Sequence, residues 1–138
     1  MTLPYAADTN VYVSAANDPA FLARFEAFVR ASGPLVVSTV VIAEVLIGVA
    51  DASRHDGVVR ALAAGTTPLA PDPDDWIQAG RAVARLGGEA ITRRRSFWND
   101  ALLAAQCARL GVTLVTRNPA DFRRLGRHLP VRSLQPFP

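Results

Sequence analysis

The fold turns on FWNDALLAAQCARLGVTLVTRNPADF, Phe97 to Phe122. Asn99 reads as a cap, Asp100 to Leu110 as a largely buried helix, and Gly111 as its stop. The apolar, β-branched VTLVT that follows is a buried strand, and NPADF opens a short further helix. A buried helix feeding a short strand is the working unit of a parallel sheet covered on both faces. The stretch also carries an acid at each end, Asp100 and Asp121, which packing alone does not require.

Working outward, the same alternation recurs. Tyr5 to Asp8 reads as a strand entering the core, followed by the turn-prone DTN. Asp18-Pro19 is a helix start, and Phe21, Leu22, Phe25, Phe28 and Val29 share one face of that helix. Leu35 to Ser38 is a second strand, and Ser38 or Thr39 caps an apolar helix over residues 40–49. Val58, Val59 and Leu62 suggest a helix ending at Gly65. TPLAPDPDDW gives a short extended piece and then a helix from Asp72-Pro73, with Trp76, Ile77, Gly80, Val83 and Ala84 inward. LGGEAITRRRS reads as a loop and LPVRSL as a last strand. The expected class is α/β, in one domain over residues 1–138, with no repeat, linker or low-complexity tract.

Composition excludes several chemistries. The chain has 138 residues, half of them hydrophobic, which is enough for a substantial core. No run approaches the roughly 18 apolar residues that cross a membrane, and the N-terminus lacks the pattern of a secretory signal, so the cytoplasm is the expected location. Cys107 is the only cysteine and sits among alanines, as a small buried hydrophobe does. All 15 basic side chains are arginine. Without lysine there is no P-loop lysine, Schiff base or serine–lysine dyad. A pI near 10 and a net charge of +3 are compatible with a polyanionic partner.

The acids carry the functional signal. In an open parallel sheet, ligands bind beyond the carboxyl ends of the strands. Asp8 ends the first strand, Glu44 lies early in the helix after the second, and Asn118 and Asp121 follow the third. Asp100, at the start of the helix entering that third strand, is expected at the opposite edge of the sheet. Each acid also has a structural explanation: an Asx-turn for Asp8, the helix dipole for Asp100, and a capping-box-like position for Asp121. Glu44 is harder to explain away, because Val41, Ile42, Val45, Leu46 and Ile47 surround it and a lone buried carboxylate is costly. Converging carboxylates repel and need a cation. Oxygen-only ligands favour Mg²⁺ or Mn²⁺ over zinc, and such a site activates water for phosphoryl chemistry.

Three segments, AADTNVYVSA, STVVIAEVLIG and NDALLAAQCARLGVTLVTRNPADF, together resemble the signature segments of PIN-domain ribonucleases, specifically the VapC toxins of bacterial toxin–antitoxin pairs. The resemblance covers essentially the whole chain. It implies a three-layer α/β/α sandwich around a parallel sheet of four to five strands. It brings Asp100 into the metal cluster with Asp8 and Glu44, and takes Asp121 as the fourth acid. Thr9 and Thr116 resemble the hydroxyl residues that brace the acids, with Asn118 a neutral polar helper. The implied reaction is Mg²⁺-dependent hydrolysis of an RNA phosphodiester, in tRNA or other structured RNA, leaving a 5′-phosphate and a 3′-hydroxyl. A homodimer and a cognate VapB-like antitoxin are the implied protein partners.

Arg93, Arg94 and Arg95 could hold RNA phosphates or form a solvated loop. Trp98 reads as a core anchor, and Arg123, Arg124 and Arg127 as a solvated helix face. Three rival readings remain at this stage. One is a metal-free ribonuclease using His55 and His128. Another is a PIN-fold module that binds RNA or protein without cutting. The third is a DNA-directed nuclease of the same fold, because 2′-hydroxyl recognition is not legible in sequence.

Overall fold

The computed structural model describes residues 5–92 and 95–136, with the backbone alone for Thr92, Arg95 and Ser96. The strand expected from VTLVT forms as β2, Thr113–Val115, and lies between β1, Tyr5–Ala7, and β3, Arg132–Leu134. Both pairings are parallel, with Ala6 opposite Leu114 and Leu114 opposite Ser133. The stretch around Val36 joins the free edge of β1 through a single bridge to Ala6, and Leu69 pairs likewise with Ser38. Among the described residues the sheet proper has three strands, and these two one-residue bridges extend its β1 edge, against the four to five strands the resemblance implied. The segment Leu35–Ser38 therefore contributes rungs and not a full strand.

Side-chain alternation along the strands divides the core in two. Ala6 and Leu114 face one side, with Phe97, Leu103, Ala104, Ala79 and Val83. Ala7 and Val115 face the other, with Val11, Ala15, Phe21 and Leu35. The sheet is thus sandwiched between α1 (Thr9–Asn17) and α2 (Pro19–Ser32) on one face and α5 (Pro73–Leu86) and α7 (Arg95–Leu110) on the other. Completing the chain are α3 (Thr39–Ile47), a 3₁₀ turn at Ala52–Arg54, α4 (His55–Ala63), α6 (Glu89–Thr92) and α8 (Pro119–Leu125).

Local chemistry sets the ends. Asp18 accepts from the backbone of Ala20 and Phe21 with Pro19 in the first turn, and Ser38 accepts from the Val40 N–H. Gly111, at φ 69°, takes the left-handed turn from α7 into β2. Asp72 and Asp75 form a capping box at the start of α5. Asp75 is buried, and Arg109 on α7 answers it with Nε 3.0 and 3.1 Å from its two oxygens.

Four expectations are corrected. Residues 95–99 are helical, so Asn99 lies inside α7 and caps nothing. Within LGGEAITRRRS, Glu89–Thr92 forms α6, and Arg93 and Arg94 fall outside the described residues. The inner face of α5 is Asp75, Ala79, Ala82 and Val83, while Trp76 and Ile77 are about half exposed. A buried Asp75 rotates the helix away from the purely apolar reading, because its arginine partner compensates the charge.

The fourth correction concerns Asp100. A helix joining parallel strands runs antiparallel to them, so it begins at the edge where the strands end. Gly111 and Val112 alone separate the end of α7 from β2. Asp100, ten residues before the last residue of α7, lies ~15 Å back along the helix axis. That carries it to the carboxyl edge of the sheet and not to the opposite one.

Candidate metal centre

The strand order places a crossover at β1. From there the chain proceeds outward to Val36 and Leu69, then returns through α5 and α7 to β2 on the other side of β1. The carboxyl ends of β1 and β2 therefore flank the switch point, where open α/β sheets form a crevice. Asp8 and Thr116 are the first residues past those two strands.

Asp8 is buried and caps α1, accepting from the Thr9 N–H at 2.8 Å through Oδ1. Its Oδ2 accepts from Thr116 Oγ1 at 2.9 Å and from Asn10 Nδ2 at 3.2 Å. Glu44 reaches over from α3. Its Oε1 accepts from Thr9 Oγ1 at 2.8 Å and its Oε2 from Asn99 Nδ2 at 3.4 Å. Both threonines thus brace acids, Thr9 for Glu44 and Thr116 for Asp8.

Asp8, Glu44 and Asp100, with Thr9, Asn10, Val13 and Asn118, line one open depression of about 330 Å³. Among the described residues no basic side chain lines it. Burial pushes the Asp8 carboxyl above its ordinary value, against the pull of the Thr116, Thr9 and Asn10 hydrogen bonds. Burial likewise raises Glu44, the Thr9 and Asn99 bonds lower it, and the negative charge of Asp8 raises it further. The two carboxylates repel, and neither has a cationic partner among the described residues.

Asp121 stands behind this group. It does not line the depression. Its Oδ2 accepts from Asn118 Nδ2 at 2.9 Å, and Arg124 lies 3.7 Å from its Oδ1. Asn118, at the N-terminus of α8, makes no side-chain cap; its backbone N–H donates to Thr116 Oγ1 at 3.0 Å.

Two residues escaped the sequence reading. Asn10 links Asp8, Thr116 and the Arg117 N–H, and Asn99 holds Glu44. A helix beginning at Thr9 would have placed Asn10 beside its Asp8 cap, but DTN reads as a turn. Asn99 was legible only as a cap. His55 hydrogen-bonds the Val49 carbonyl at 2.8 Å, and neither it nor His128 lines the depression. The side chain of Arg95 lies outside the described residues, as do Arg93 and Arg94.

The donor set is oxygen-only, which suits Mg²⁺ or Mn²⁺. Among the described residues no three acidic, histidine or cysteine side chains close into a ready-made cage. A cation here would keep water ligands, as Mg²⁺ commonly does. Mutually repelling carboxylates in an open depression fit that arrangement.

A parallel sheet between helical layers, with acids gathered at its switch point, defines a class that sequence comparison makes definite. The pattern of the PIN domain matches residues 5–128, and the chain belongs to that family. The fold is similar to a DNA-bound VapBC complex from Salmonella typhimurium, with a TM-score of 0.72 at 20% identity over 97% of this chain and 98% of that one. It is also similar to VapBC2 of Rickettsia felis bound to a promoter DNA fragment, with a TM-score of 0.67 at 19% identity over 95% and 97% of the two chains. Comparison with curated proteins returns no match.

Proposed function

We propose that the protein is a VapC-type toxin, an Mg²⁺-dependent endoribonuclease that hydrolyses phosphodiesters of tRNA or other structured RNA. One observation carries this reading: Asp8, Glu44 and Asp100, from the end of β1, from α3 and from α7, line a single open depression. When bound, the metal supplies an activated water and offsets charge on the phosphoryl group. The chain's own residues do the positioning. Thr116, Asn10 and the Thr9 N–H fix both oxygens of Asp8, while Thr9 and Asn99 fix Glu44. Asp121 stands as the fourth acid of the proposed set, and its Oδ2 also holds the amide of Asn118, which lines the depression.

Two surface features support the proposed partners. An apolar groove of about 600 Å³, lined in part by Val13, Leu22, Phe25, Val45 and Val58, shares Glu44 with the acidic depression. It suits a VapB-like antitoxin that covers the site. Ile47, Trp76 and Ile77 are exposed by 75%, 49% and 52%, an apolar excess on α3 and α5 that suits a homodimer. No helix among the described residues is long and apolar enough to cross a membrane, and we place the protein in the cytoplasm.

The test is cleavage of total tRNA, and of a single-stranded DNA of matched length, with Mg²⁺ and with EDTA. Cutting of RNA that needs Mg²⁺ and fails in Asp8→Asn and Asp100→Asn supports the reading. Cutting that persists in EDTA and in both variants overturns it. Preference for DNA moves the substrate assignment, and binding without cutting makes the protein a silent module.

A further inference from the structure

Arg117 sits between two residues of the site. Thr116 before it bonds Asp8, and Asn118 after it lines the depression. Its backbone N–H donates to Asn10 Oδ1 at 3.0 Å, and the same Asn10 side chain donates to Asp8. The Arg117 side chain is exposed and turns along α1, where Nη1 donates to Ser14 Oγ at 2.7 Å. Its guanidinium carbon lies 5.3 Å from the centroid of the Phe21 ring, and that of Arg24 lies 5.8 Å from the same centroid.

Neither arginine has a carboxylate within ion-pairing distance among the described residues. Phe21 is buried, and covering it requires only the apolar stems of the arginines. The two charges are surplus to that packing. Arg117 is carried by the segment between Thr116 and Asn118 that borders the depression, and its charge extends from there along α1.

We propose that Arg117 binds a backbone phosphate of the RNA strand that enters the carboxylate depression, and that Arg24, on the same Phe21 ring, adds to the positive surface that strand meets. The proposal rests on the nuclease reading. A guanidinium carries five N–H donors in a rigid fork suited to phosphate oxygens, and Ser14 takes only one of them here. The Ser14 bond and the Phe21 ring hold the fork before RNA arrives, which lowers the ordering cost of binding. The contact is to backbone and carries no base preference. Arg117 is a positioning residue, since it touches the strand away from the carboxylates.

The test uses the full chain and a fluorescent single-stranded RNA that the protein cleaves. KM and kcat are measured with Mg²⁺, and Kd in EDTA across a salt series, for wild type, Arg117→Met, Arg117→Lys and Arg24→Met. Methionine keeps an apolar cover on Phe21 and removes the charge. Arg117→Met is expected to raise KM about 10-fold, with the loss falling on KM more than on kcat, and to flatten the log Kd against log salt slope by ~0.7. Arg117→Lys recovers most of the slope, and Arg24→Met gives a smaller loss in the same direction. A folded Arg117→Met with wild-type KM and slope overturns the proposal and leaves Arg117 as a cover for Phe21. If wild type neither binds nor cuts RNA, the nuclease reading itself falls, and this assignment falls with it.

Discussion

Thr116 donates its hydroxyl proton to Asp8 Oδ2 at 2.9 Å, joining residues 108 positions apart in a buried contact. The pairing follows from register. β1 and β2 run parallel with Ala7 opposite Val115, so the next residue of each strand meets its neighbour at the carboxyl edge. Thr116→Val preserves shape and removes the donor. It is expected to lower Mg²⁺ affinity or cleavage ~10–100-fold, as loss of a partner that orients a ligand does. Calorimetric Mg²⁺ titration beside cleavage rates checks it.

The acids strain the metal-free fold. Burial raises both Asp8 and Glu44 above their ordinary values. A carboxyl with a raised folded pKa contributes stability below its unfolded pKa and loses that contribution as pH rises through the folded value. Metal-free protein is therefore expected to gain stability, as far as these two groups decide it, when pH falls from neutral through their raised values. Asp8→Asn is expected to melt higher than wild type in EDTA at pH 7 while losing cleavage, and added Mg²⁺ to raise Tm in wild type only. Melting curves from pH 5 to 8 decide this; an Asp8→Asn protein that melts below wild type in EDTA refutes it.

Asn118 and Asp121 are separable by their readouts. Asn118 lines the depression and Asp121 holds it from behind. Asp121→Asn keeps an acceptor oxygen for the Asn118 amide and is expected to cost less than ~10-fold in cleavage, whereas Asp121→Ala frees that amide and is expected to cost ~10–100-fold. Asn118→Asp places a further carboxylate at the depression and is expected to tighten Mg²⁺ binding. If Asp121→Asn abolishes Mg²⁺ binding as completely as Asp100→Asn does, Asp121 is itself a ligand.

Arg109 offers a control away from the site. It compensates Asp75, whose side chain is 2% exposed, and also lies 3.3 Å from Asp72. Arg109→Met leaves Asp75 buried without its partner, which typically costs ~3–5 kcal/mol. Urea unfolding is expected to show that loss, while cleavage per folded molecule at low temperature stays at the wild-type level.

The sequence alone was enough for the class of fold and for most of the polar residues that line the depression. Local signals sufficed there: Asp-Pro and Ser caps, Gly111 after an apolar helix, and β-branched runs short enough to be buried strands. The sequence also supplied the argument for the proposed metal chemistry, because oxygen donors without lysine, and with histidines only in polar stretches, leave few alternatives. Only the tertiary structure decided where the acids meet. The edge at which Asp100 sits follows from α7 running antiparallel to β2, but that this edge is shared with Asp8 and Glu44 depends on how α1, α3 and α7 pack around the sheet. The roles of Asn10 and Asn99 depend on contacts with residues 106 and 55 positions away in sequence, where local pattern carries no information. The inward turn of Asp75 was hidden for the same reason. A charge can face the core only when a partner from another helix meets it, and that partner is chosen by packing.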